Sequence, residues 1–554
     1  MVSIISEPKY VQKKAGFNFQ EKLLQAAQCH DRRPPLPLLL TLENGKEYLL
    51  VREIEKGNML QVNCRLPVLH YHPYFLLEDK WREMVPKDLP AVIKTKSDAA
   101  KITVDSGFVF ASYEQLSGEF QVELANGAVS PFVQGEVYRA TRQEVNSLFY
   151  QKQAQVEQAA QKIARKHKHG DQLASLLGQG GEDLRFPTLD AAMVKEGLDS
   201  VIASSPLAVM ELAGYPAGGL GAPELLAIYN QGEDEVTILT ADAKAGQLLQ
   251  QLGFHGAGRM ELAQLVKGKV VGFEEDSLDV ATYLLLAANC RLQKASELFR
   301  RWRESKLNAK DLSYFVITGA ASCYAIENTL AYACECVRQE KDLTEMELYR
   351  HYQQLVQQFS AENQIPVPLE IYFTNLHAGS RSPYPAGPAD FPVNKEGKTY
   401  KMDAGLMVYD GPGLIHASSD MARTICFTPE GQEIYSIMAK CIREGTIPHI
   451  AAGQTAKEIY WYGINQLAQY QSEAERLGML PEGFVLAEDY QRDIGHLMER
   501  QEAFTALFRR DREQVVREYM IGCIEYQWPY KGHGIAYEDM FVVTPNGAVN
   551  LTDY

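Results

Sequence analysis

The sequence has few cysteines and no long apolar run. Its nine cysteines are an odd number and widely scattered, which fits a reduced cytosolic protein better than a disulfide framework. The longest apolar stretches, such as LPLLLTL from Leu36, fall far short of the roughly 20 residues that span a bilayer. The opening MVSIISEPKY has no basic region followed by an apolar one, so we expect no secretory signal. These absences predict a cytoplasmic protein without a membrane partner.

Positive charge is also scarce. The 55 Lys and Arg residues are outnumbered by 71 Asp and Glu residues, which gives a formal net charge of −16. Binding to nucleic-acid phosphates needs clustered cations, so we expect no nucleic-acid partner. The length of 554 residues predicts three or four domains.

The sequence pattern changes at three places along the chain. Residues 1–140 alternate short apolar and polar stretches, which predicts a β-rich or α+β module. Residues 141–185 are predicted to form a helix and a connector. Residues 186–295 alternate helix and strand patterns, which is typical of an α/β layer. Residues 296–554 begin with long helical patterns and carry the candidate chemistry.

Five residues of metal-ligating type occur in the C-terminal third, in the order Asp, Asp, His, Glu, Glu. They are Asp403, Asp420, His496, Glu525 and Glu538. The two aspartates lie on predicted neighbouring strands, and the two glutamates lie on a second predicted pair. A carboxylate within an apolar strand is expensive to bury unless a cation neutralises it. Four carboxylates and one imidazole suit divalent Mn, Fe, Co or Zn, and they are enough for two ions.

The motifs around these residues resemble a known family. DAG, SDMART, GH, IEYQWPY and YEDMFVVTPNG, in this order, resemble the C-terminal "pita-bread" domain of the M24 metallopeptidases, which include Xaa-Pro aminopeptidase, prolidase, methionine aminopeptidase and creatinase. MVKEGLDSVIASSPLAVMELAGY is similar to the creatinase/prolidase N-terminal domain. The resemblance covers residues 186–554. It implies a creatinase-like α/β domain over 186–295 and a pita-bread metal-binding domain over 296–554, with residues 1–140 as an extra module.

The resemblance also implies roles for the five residues. Asp420 and Glu538 would each contact both ions, Asp403 would bind the first ion, and His496 with Glu525 would bind the second. Glu525 would in addition manage the proton of the attacking water. Because dimers are common in this family, a homodimer is the expected assembly.

Departures from the family pattern are equally visible. The segment AGSRSPYPAGPADFPVNKEGKTYK has no histidine where family peptidases carry one, and the nearest, His377, comes too early. MERQEAF also lacks an expected histidine, and Arg492 stands near the place of a third. Ala536 replaces an arginine that is frequent in proline-specific members. His416 and His533 lie near the metal-bearing turns and are candidates for a proton shuttle, or else they are solvated loop residues.

Three functions are compatible with this sequence. The first is a dinuclear metallohydrolase of the aminopeptidase type, acting on an atypical peptide or other small molecule. The second is a di-iron oxidoreductase that activates oxygen on the same fold. The third is a non-catalytic protein that binds a peptide or partner, against which the complete ligand set argues. Hydrolysis comes first because the family is dominated by it.

Overall fold

The computed structural model describes residues 2–23, 36–74, 85–125, 129–178, 181, 183–218 and 225–554. The first described unit is a six-stranded sheet in the order β4-β3-β2-β1-β5-β6. Its strands are β1 (Val2–Ile5), β2 (Leu38–Thr41), β3 (Glu47–Arg52), β4 (Val68–Tyr71), β5 (Lys101–Val104) and β6 (Gln121–Leu124). The sheet mixes antiparallel and parallel pairs. This part of the chain is therefore an α+β module, one of the two alternatives predicted for it.

A seven-stranded sheet follows, in the order β11-β7-β10-β9-β8-β12-β13. Its strands are β7 (Gln134–Thr141), β8 (Ser200–Ala203), β9 (Leu225–Asn230), β10 (Glu235–Thr240), β11 (His255–Glu261), β12 (Val270–Phe273) and β13 (Arg291–Lys294). Strand β7 pairs with β10 and β11, so it belongs to this sheet although the sequence pattern assigned most of it to the first module. We therefore propose that the boundary lies before residue 134 rather than at residue 140.

Two further sheets form the C-terminal unit. The first contains β14 (Leu369–Ala378), β15 (Thr399–Asp410), β16 (Leu414–Ser418) and β17 (Met421–Cys426), with β15 pairing to the other three. The second has the order β19-β18-β20-β21-β22 and contains β18 (Gly495–Met498), β19 (Glu502–Leu507), β20 (Ile521–Tyr530), β21 (His533–Thr544) and β22 (Gly547–Asn550). Strands β15 and β21 are 12 residues each and almost wholly buried, which explains their near-continuous apolar sequence.

Helices surround the sheets. The α-helices of at least eight residues are Pro8–Ala15, Phe110–Ser117, Gln153–Ala164, Gly170–Leu177, Arg185–Glu196, Pro206–Ala213, Ala243–Gln251, Val280–Ala287, Ser296–Ser305, Ala309–Arg338, Glu345–Glu362, Pro429–Lys440 and Ala456–Ala468. Shorter ones span Phe19–Lys22, Lys56–Met59, Leu89–Lys94, Arg142–Leu148, Leu262–Leu265, Gln471–Arg476 and Leu486–Asp489. None of the described helices combines the length and apolarity that a membrane span would need. The helix predicted from residue 141 is interrupted after Leu148 and resumes at Gln153.

The longest helix, Ala309–Arg338, carries the C-terminal sheets. Asn308 caps its first turn, accepting hydrogen bonds from the backbone of Lys310 and Asp311. Its apolar side chains share one core with β15, β17 and β21. Met402 and Ala404 of this core lie on the face of β15 opposite Asp403, whereas Met540 and Val542 share the face of β21 that carries Glu538. The core therefore contacts both sheets and holds them in a constant relation to each other.

A buried ionic cluster joins the α/β layer to the C-terminal unit. The Arg500 guanidinium lies 2.6 Å from Glu211 Oε1 and 2.6 Å from Asp311 Oδ1, and it also donates to the Tyr150 hydroxyl at 3.0 Å. Burial acts to raise the pKa of Glu211, but Arg500 and Lys306 outweigh it and lower the pKa to about 2. Glu211 therefore stays charged, and its attraction to Arg500 holds the two units together.

Replacement of Arg500 tests this cluster. Arg500→Met leaves Glu211 and Asp311 buried without their main cation, so we expect a loss of about 3–5 kcal/mol in the free energy of unfolding. Urea denaturation measures the loss. The control is Lys94→Ala, which breaks an exposed pair with Glu119 and should cost less than about 1 kcal/mol. Equal effects of the two substitutions would contradict the assigned importance of Arg500.

Candidate metal centre

The first two predicted ligands lie together on the sheet that contains β15. Asp403 is in the middle of β15, opposite Ala422 of β17. Asp420 comes directly before β17, so its side chain emerges beside that of Asp403. Both are almost fully buried. The antiparallel pairing of β15 with β17 is the reason that two residues separated by 17 positions share one site.

The other three predicted ligands lie on the second sheet. Glu525 of β20 is directly opposite Glu538 of β21. His496 of β18 is directly opposite Cys523, which precedes Glu525 by two positions. Residues two apart on a strand project from the same face, so Cys523, Glu525, His496 and Glu538 share one face of this sheet.

The two faces meet at the candidate site. Thr424 and Ala536 join β17 to β21, with the Thr424 hydroxyl donating to the Ala536 carbonyl and accepting from the Ala536 amide. Ligand atoms of Asp403, Asp420 and Glu538 all lie within 4.8 Å of one another, as do those of His496, Cys523 and Glu538. Glu538 thus belongs to two ligand groups.

His496 connects the two groups. Its Nε2 atom is 3.6 Å from Asp420 Oδ2 and 3.8 Å from Glu538 Oε1. The Nδ1 atom faces its neighbouring backbone carbonyl, that of Leu497, at 3.1 Å. A hydrogen bond at Nδ1 directs the lone pair of Nε2 toward the carboxylates, which is how histidine ligands of metals are oriented.

The crowding of carboxylates is costly without a cation. Burial raises the pKa of Glu538 well above its ordinary value, and the neighbouring charges of Asp420 and Glu525 raise it further. Burial also raises the pKa of Asp403 to about 6, although Lys401 acts in the opposite direction. Both shifts indicate negative charge that the protein itself does not fully neutralise.

Several cations and amides in the site partly compensate this charge. Lys401 precedes Asp403 by two positions and is buried on the same strand face. Asn375 Nδ2 lies 3.3 Å from Asp403 Oδ2, and Gln527 Nε2 lies 3.5 Å from the same oxygen. Burial lowers the pKa of Lys401, while Asp403 opposes that shift. Lys401, Asn375 and Gln527 lie outside the predicted set of site residues, although the two-residue strand period is a signal for Lys401 and Gln527.

Glu525 is placed differently from the other four predicted ligands. Its Oε1 atom is 3.4 Å from the Arg492 guanidinium, and its Oε2 atom accepts from Gln527 Nε2 at 2.9 Å. Among the described residues, neither group of close ligand atoms includes Glu525. Arg492, which stands near the position of a family histidine, therefore pairs with the Glu525 carboxylate and holds it in place.

The two shuttle candidates lie away from the ligands. The pairing of β15 with β16 places His416 beside Val408 and Tyr409, roughly 17 Å along β15 from Asp403. His416 is buried instead against Tyr314 and Arg500, and burial lowers its pKa well below the ordinary value. His533 begins β21, five residues and about 17 Å from Glu538. The strand register does not support a shuttle role for either histidine.

His377 and Ala536 also have structural surroundings that the sequence did not reveal. His377 is opposite Lys401 on β14, fully buried, and burial together with Lys401 lowers its pKa well below the ordinary value. Ala536 is opposite Gln527. Position 536, which is often an arginine in proline-specific members, therefore carries no charge here. The side-chain amide of Gln527 lies opposite it.

The N-terminal module reaches this site. The Tyr74 hydroxyl donates to Gln527 Oε1 at 3.4 Å, and the Arg492 guanidinium lies 5.9 Å from the Tyr74 ring centre. A second contact pairs residues 53–58 with the loop before β15: Tyr384 donates to Glu53 Oε1 at 3.3 Å. Gly57 packs so closely that a Cβ atom there would lie 2.7 Å from the Pro385 carbonyl oxygen. The module therefore contacts residues of the candidate site directly.

The donor set suits a divalent metal. Three buried carboxylates, one imidazole and one thiol converge within a few ångströms, and a cation between them would relieve the repulsion that raises the pKa of Glu538. Oxygen, nitrogen and sulfur donors together favour borderline ions such as Zn²⁺, Co²⁺ or Fe²⁺. The residues present therefore fit the metals expected from the sequence.

Comparisons with known proteins agree with this geometry. The family model of metallopeptidase family M24 matches residues 320–545. No curated protein sequence matches the chain. The dipeptidase PepE from Mycobacterium ulcerans is 17% identical, with a TM-score of 0.50 over 69% of this chain and 96% of that one. The N-terminal domain of FACT complex subunit SPT16 from Cicer arietinum is 12% identical, with a TM-score of 0.51 over 67% of this chain and 95% of that one.

A third similar structure is the prolidase from Pyrococcus furiosus, at 17% identity and a TM-score of 0.48 over 66% of this chain and 99% of that one. The predicted fold class, a creatinase-like α/β domain followed by a pita-bread domain with an added N-terminal module, is confirmed. A dipeptidase and a FACT subunit domain share this fold, so the fold alone does not assign an activity.

Removing one carboxylate charge tests the repulsion. Glu538→Gln should raise the melting temperature of the chelator-treated protein at pH 8 by on the order of 2–4 °C, the shift that about 1 kcal/mol produces in a domain of this size. Because the folded-state pKa is raised, the penalty grows as pH rises above the ordinary value of 4.5 and is absent below it. The gain should therefore shrink at pH 4.5.

Differential scanning fluorimetry at both pH values measures this effect. The matched control is the exposed Glu482→Gln, which should change the melting temperature at neither pH. A lower melting temperature for Glu538→Gln at pH 8 would show that the carboxylate is stabilised by the protein alone.

Proposed function

We propose that this metallopeptidase-like protein is a dinuclear metal-dependent hydrolase that cleaves an amide bond, because the model of metallopeptidase family M24 matches residues 320–545. The observation that carries the proposal is the convergence of Asp403, Asp420, His496 and Glu538 in one buried cluster. A cluster of this composition is expensive to bury, and no purely structural purpose requires so many unneutralised carboxylates.

The ligand roles follow from the two groups of donors. Asp403, Asp420 and Glu538 would hold the first ion, and His496 with Glu538 and Asp420 would contribute to the second. The ions expected are divalent Mn, Fe, Co or Zn. Bound there, they would lower the pKa of a water molecule and polarise the scissile carbonyl. Asn375 and Gln527 orient Asp403 by donating hydrogen bonds to its Oδ2 atom.

Glu525 has the geometry of a proton carrier in this proposal. It faces Glu538 across the strand pair, and Arg492 with Gln527 holds its carboxylate in place. A carboxylate so positioned can accept a proton from an attacking water and donate it to the leaving amine. General acid–base catalysis of this kind contributes roughly 10²–10⁴ to a rate.

The substrate is a peptide or other small molecule of atypical kind. The accessory histidines of the family peptidases are missing, and Ala536 stands in place of the frequent arginine. Tyr74, Arg492 and Lys401 add an aromatic ring and two cations to this site instead. With metal ions compensating the carboxylates, these cations would favour a substrate with a carboxylate or another anionic group near the cleaved bond.

The remaining expectations stay proposals. We infer a cytoplasmic protein that acts as a homodimer without nucleic-acid or membrane partners, and a division into an N-terminal module, a creatinase-like α/β domain and the pita-bread domain. Size-exclusion chromatography with light scattering measures the assembly directly.

Two substitutions separate metal binding from proton transfer. Asp420→Asn should lose most bound metal, because this carboxylate belongs to the first group and also lies 3.6 Å from His496 Nε2 of the second. Glu525→Gln should retain metal yet lose roughly 10²–10⁴ in kcat, since an amide cannot accept the proton. Metal content by mass spectrometry and release of the first residue from Xaa-Pro and carboxylate-bearing peptides are the measurements. The control Asp511→Asn lies at an exposed site and should change neither.

The same experiments also have outcomes that would contradict the proposed hydrolase. Two iron ions with oxygen consumption would indicate the oxidoreductase. No bound metal in the wild-type protein, together with unchanged peptide binding in Asp420→Asn, would indicate the non-catalytic alternative.

A further inference from the structure

Cys523 occupies an unexpected position in the candidate centre. It is fully buried and lies directly opposite His496 in the pairing of β18 with β20. Directly opposed residues of antiparallel strands have Cβ atoms about 4.5–5.5 Å apart, so the two side chains are neighbours. The Cys523 thiol donates weakly to the Asp420 carbonyl at 3.7 Å and lies 3.4 Å from Met498 Sδ. The thiol therefore points toward Asp420, the residue directly before β17.

The distances between these donor atoms are close to those between the ligands of one small metal ion. Metal–ligand bonds of about 2.0–2.3 Å place tetrahedral ligands roughly 3.3–3.8 Å apart. His496 Nε2 is 3.6 Å from Asp420 Oδ2 and 3.8 Å from Glu538 Oε1, and the Cys523 sulfur lies within 4.8 Å of the His496 and Glu538 donors. The donors of His496, Cys523 and Glu538 are therefore close enough to share one ion, and Asp420 lies beside the same imidazole.

Glu525, by contrast, is engaged elsewhere. One of its oxygens faces Arg492 and the other accepts from Gln527. Binding an ion through these oxygens would weaken the pairing of Glu525 with a buried arginine, which is costly. Cys523 lies on the same strand face two positions earlier, in the group of close donors that Glu525 does not join.

We propose that Cys523 binds the second metal ion as a thiolate, together with His496, Glu538 and Asp420, while Glu525 remains with Arg492. This inference rests on the proposed metal-dependent function and specifies its metal chemistry. The Sγ–H bond breaks when the Sγ–metal bond forms, and the proton leaves to solvent. A His, Cys and carboxylate set prefers Zn²⁺ or Co²⁺ over Mn²⁺, because thiolate is a soft ligand and Mn²⁺ favours oxygen.

Cobalt provides a direct test, because thiolate bound to Co²⁺ gives an intense near-ultraviolet charge-transfer absorption that oxygen and nitrogen ligands lack. Co²⁺ titration of the full-length protein should produce this absorption. Cys523→Ser should remove it while retaining the weaker visible bands of bound Co²⁺. Cys441→Ser, at another buried cysteine, should leave it intact. Glu525→Gln should also keep the absorption, since Glu525 is not the ligand.

X-ray absorption on the Zn²⁺-loaded wild-type protein needs no variant and remains decisive if Cys523→Ser fails to fold. One sulfur at about 2.3 Å from zinc supports the proposal. Bound metal without a sulfur neighbour overturns the role of Cys523 and leaves the proposed hydrolase standing. Failure of both Co²⁺ and Zn²⁺ to bind overturns the proposed function and this inference together.

Discussion

Mutual repulsion among buried carboxylates is the constraint on which the rest of this structure depends. Asp403, Asp420, Glu525 and Glu538 are held close together, and the protein offers Lys401 and Arg492 as partial compensation. Only a rigid framework can keep such groups in contact. The core that both sheets share, with the 30-residue helix Ala309–Arg338 packed into it, supplies that rigidity.

Strand alternation separates two electrostatic tasks on β21. Glu538 faces the candidate site, whereas its neighbour Asp539 faces the opposite side and meets Arg423 and Arg443. Burial acts to raise the pKa of Asp539, but the two arginines outweigh it and lower the pKa. The Asp539 carboxylate is therefore paired with two arginines and anchors the strand, whereas the adjacent Glu538 carboxylate has more negative than positive charge around it. This contrast within two residues supports a ligand role for Glu538.

Much of the site could be predicted from the sequence because it depends on local order. The strand patterns around Asp403 and Glu538 and the family motifs identified the candidate ligands. The two-residue period of the same strands also places Lys401, Cys523 and Gln527 on the site face. Contacts between distant segments could not be predicted: Tyr74 meets Gln527 across more than 450 positions, and β7 pairs with strands about a hundred residues later. Such contacts depend on packing of whole units, which no local pattern encodes.

With the proposed ions bound, the spread of the site over both sheets would tie the stability of the fold to the metal supply. An ion that binds the folded chain stabilises it by mass action, in proportion to the logarithm of free metal concentration. Without metal, Lys401 and Arg492 would compensate the repelling carboxylates only in part, and the repulsion would weaken the contacts between β17 and β21. Opening there would expose the interior to proteases, so cellular abundance would follow metal nutrition without any dedicated regulator.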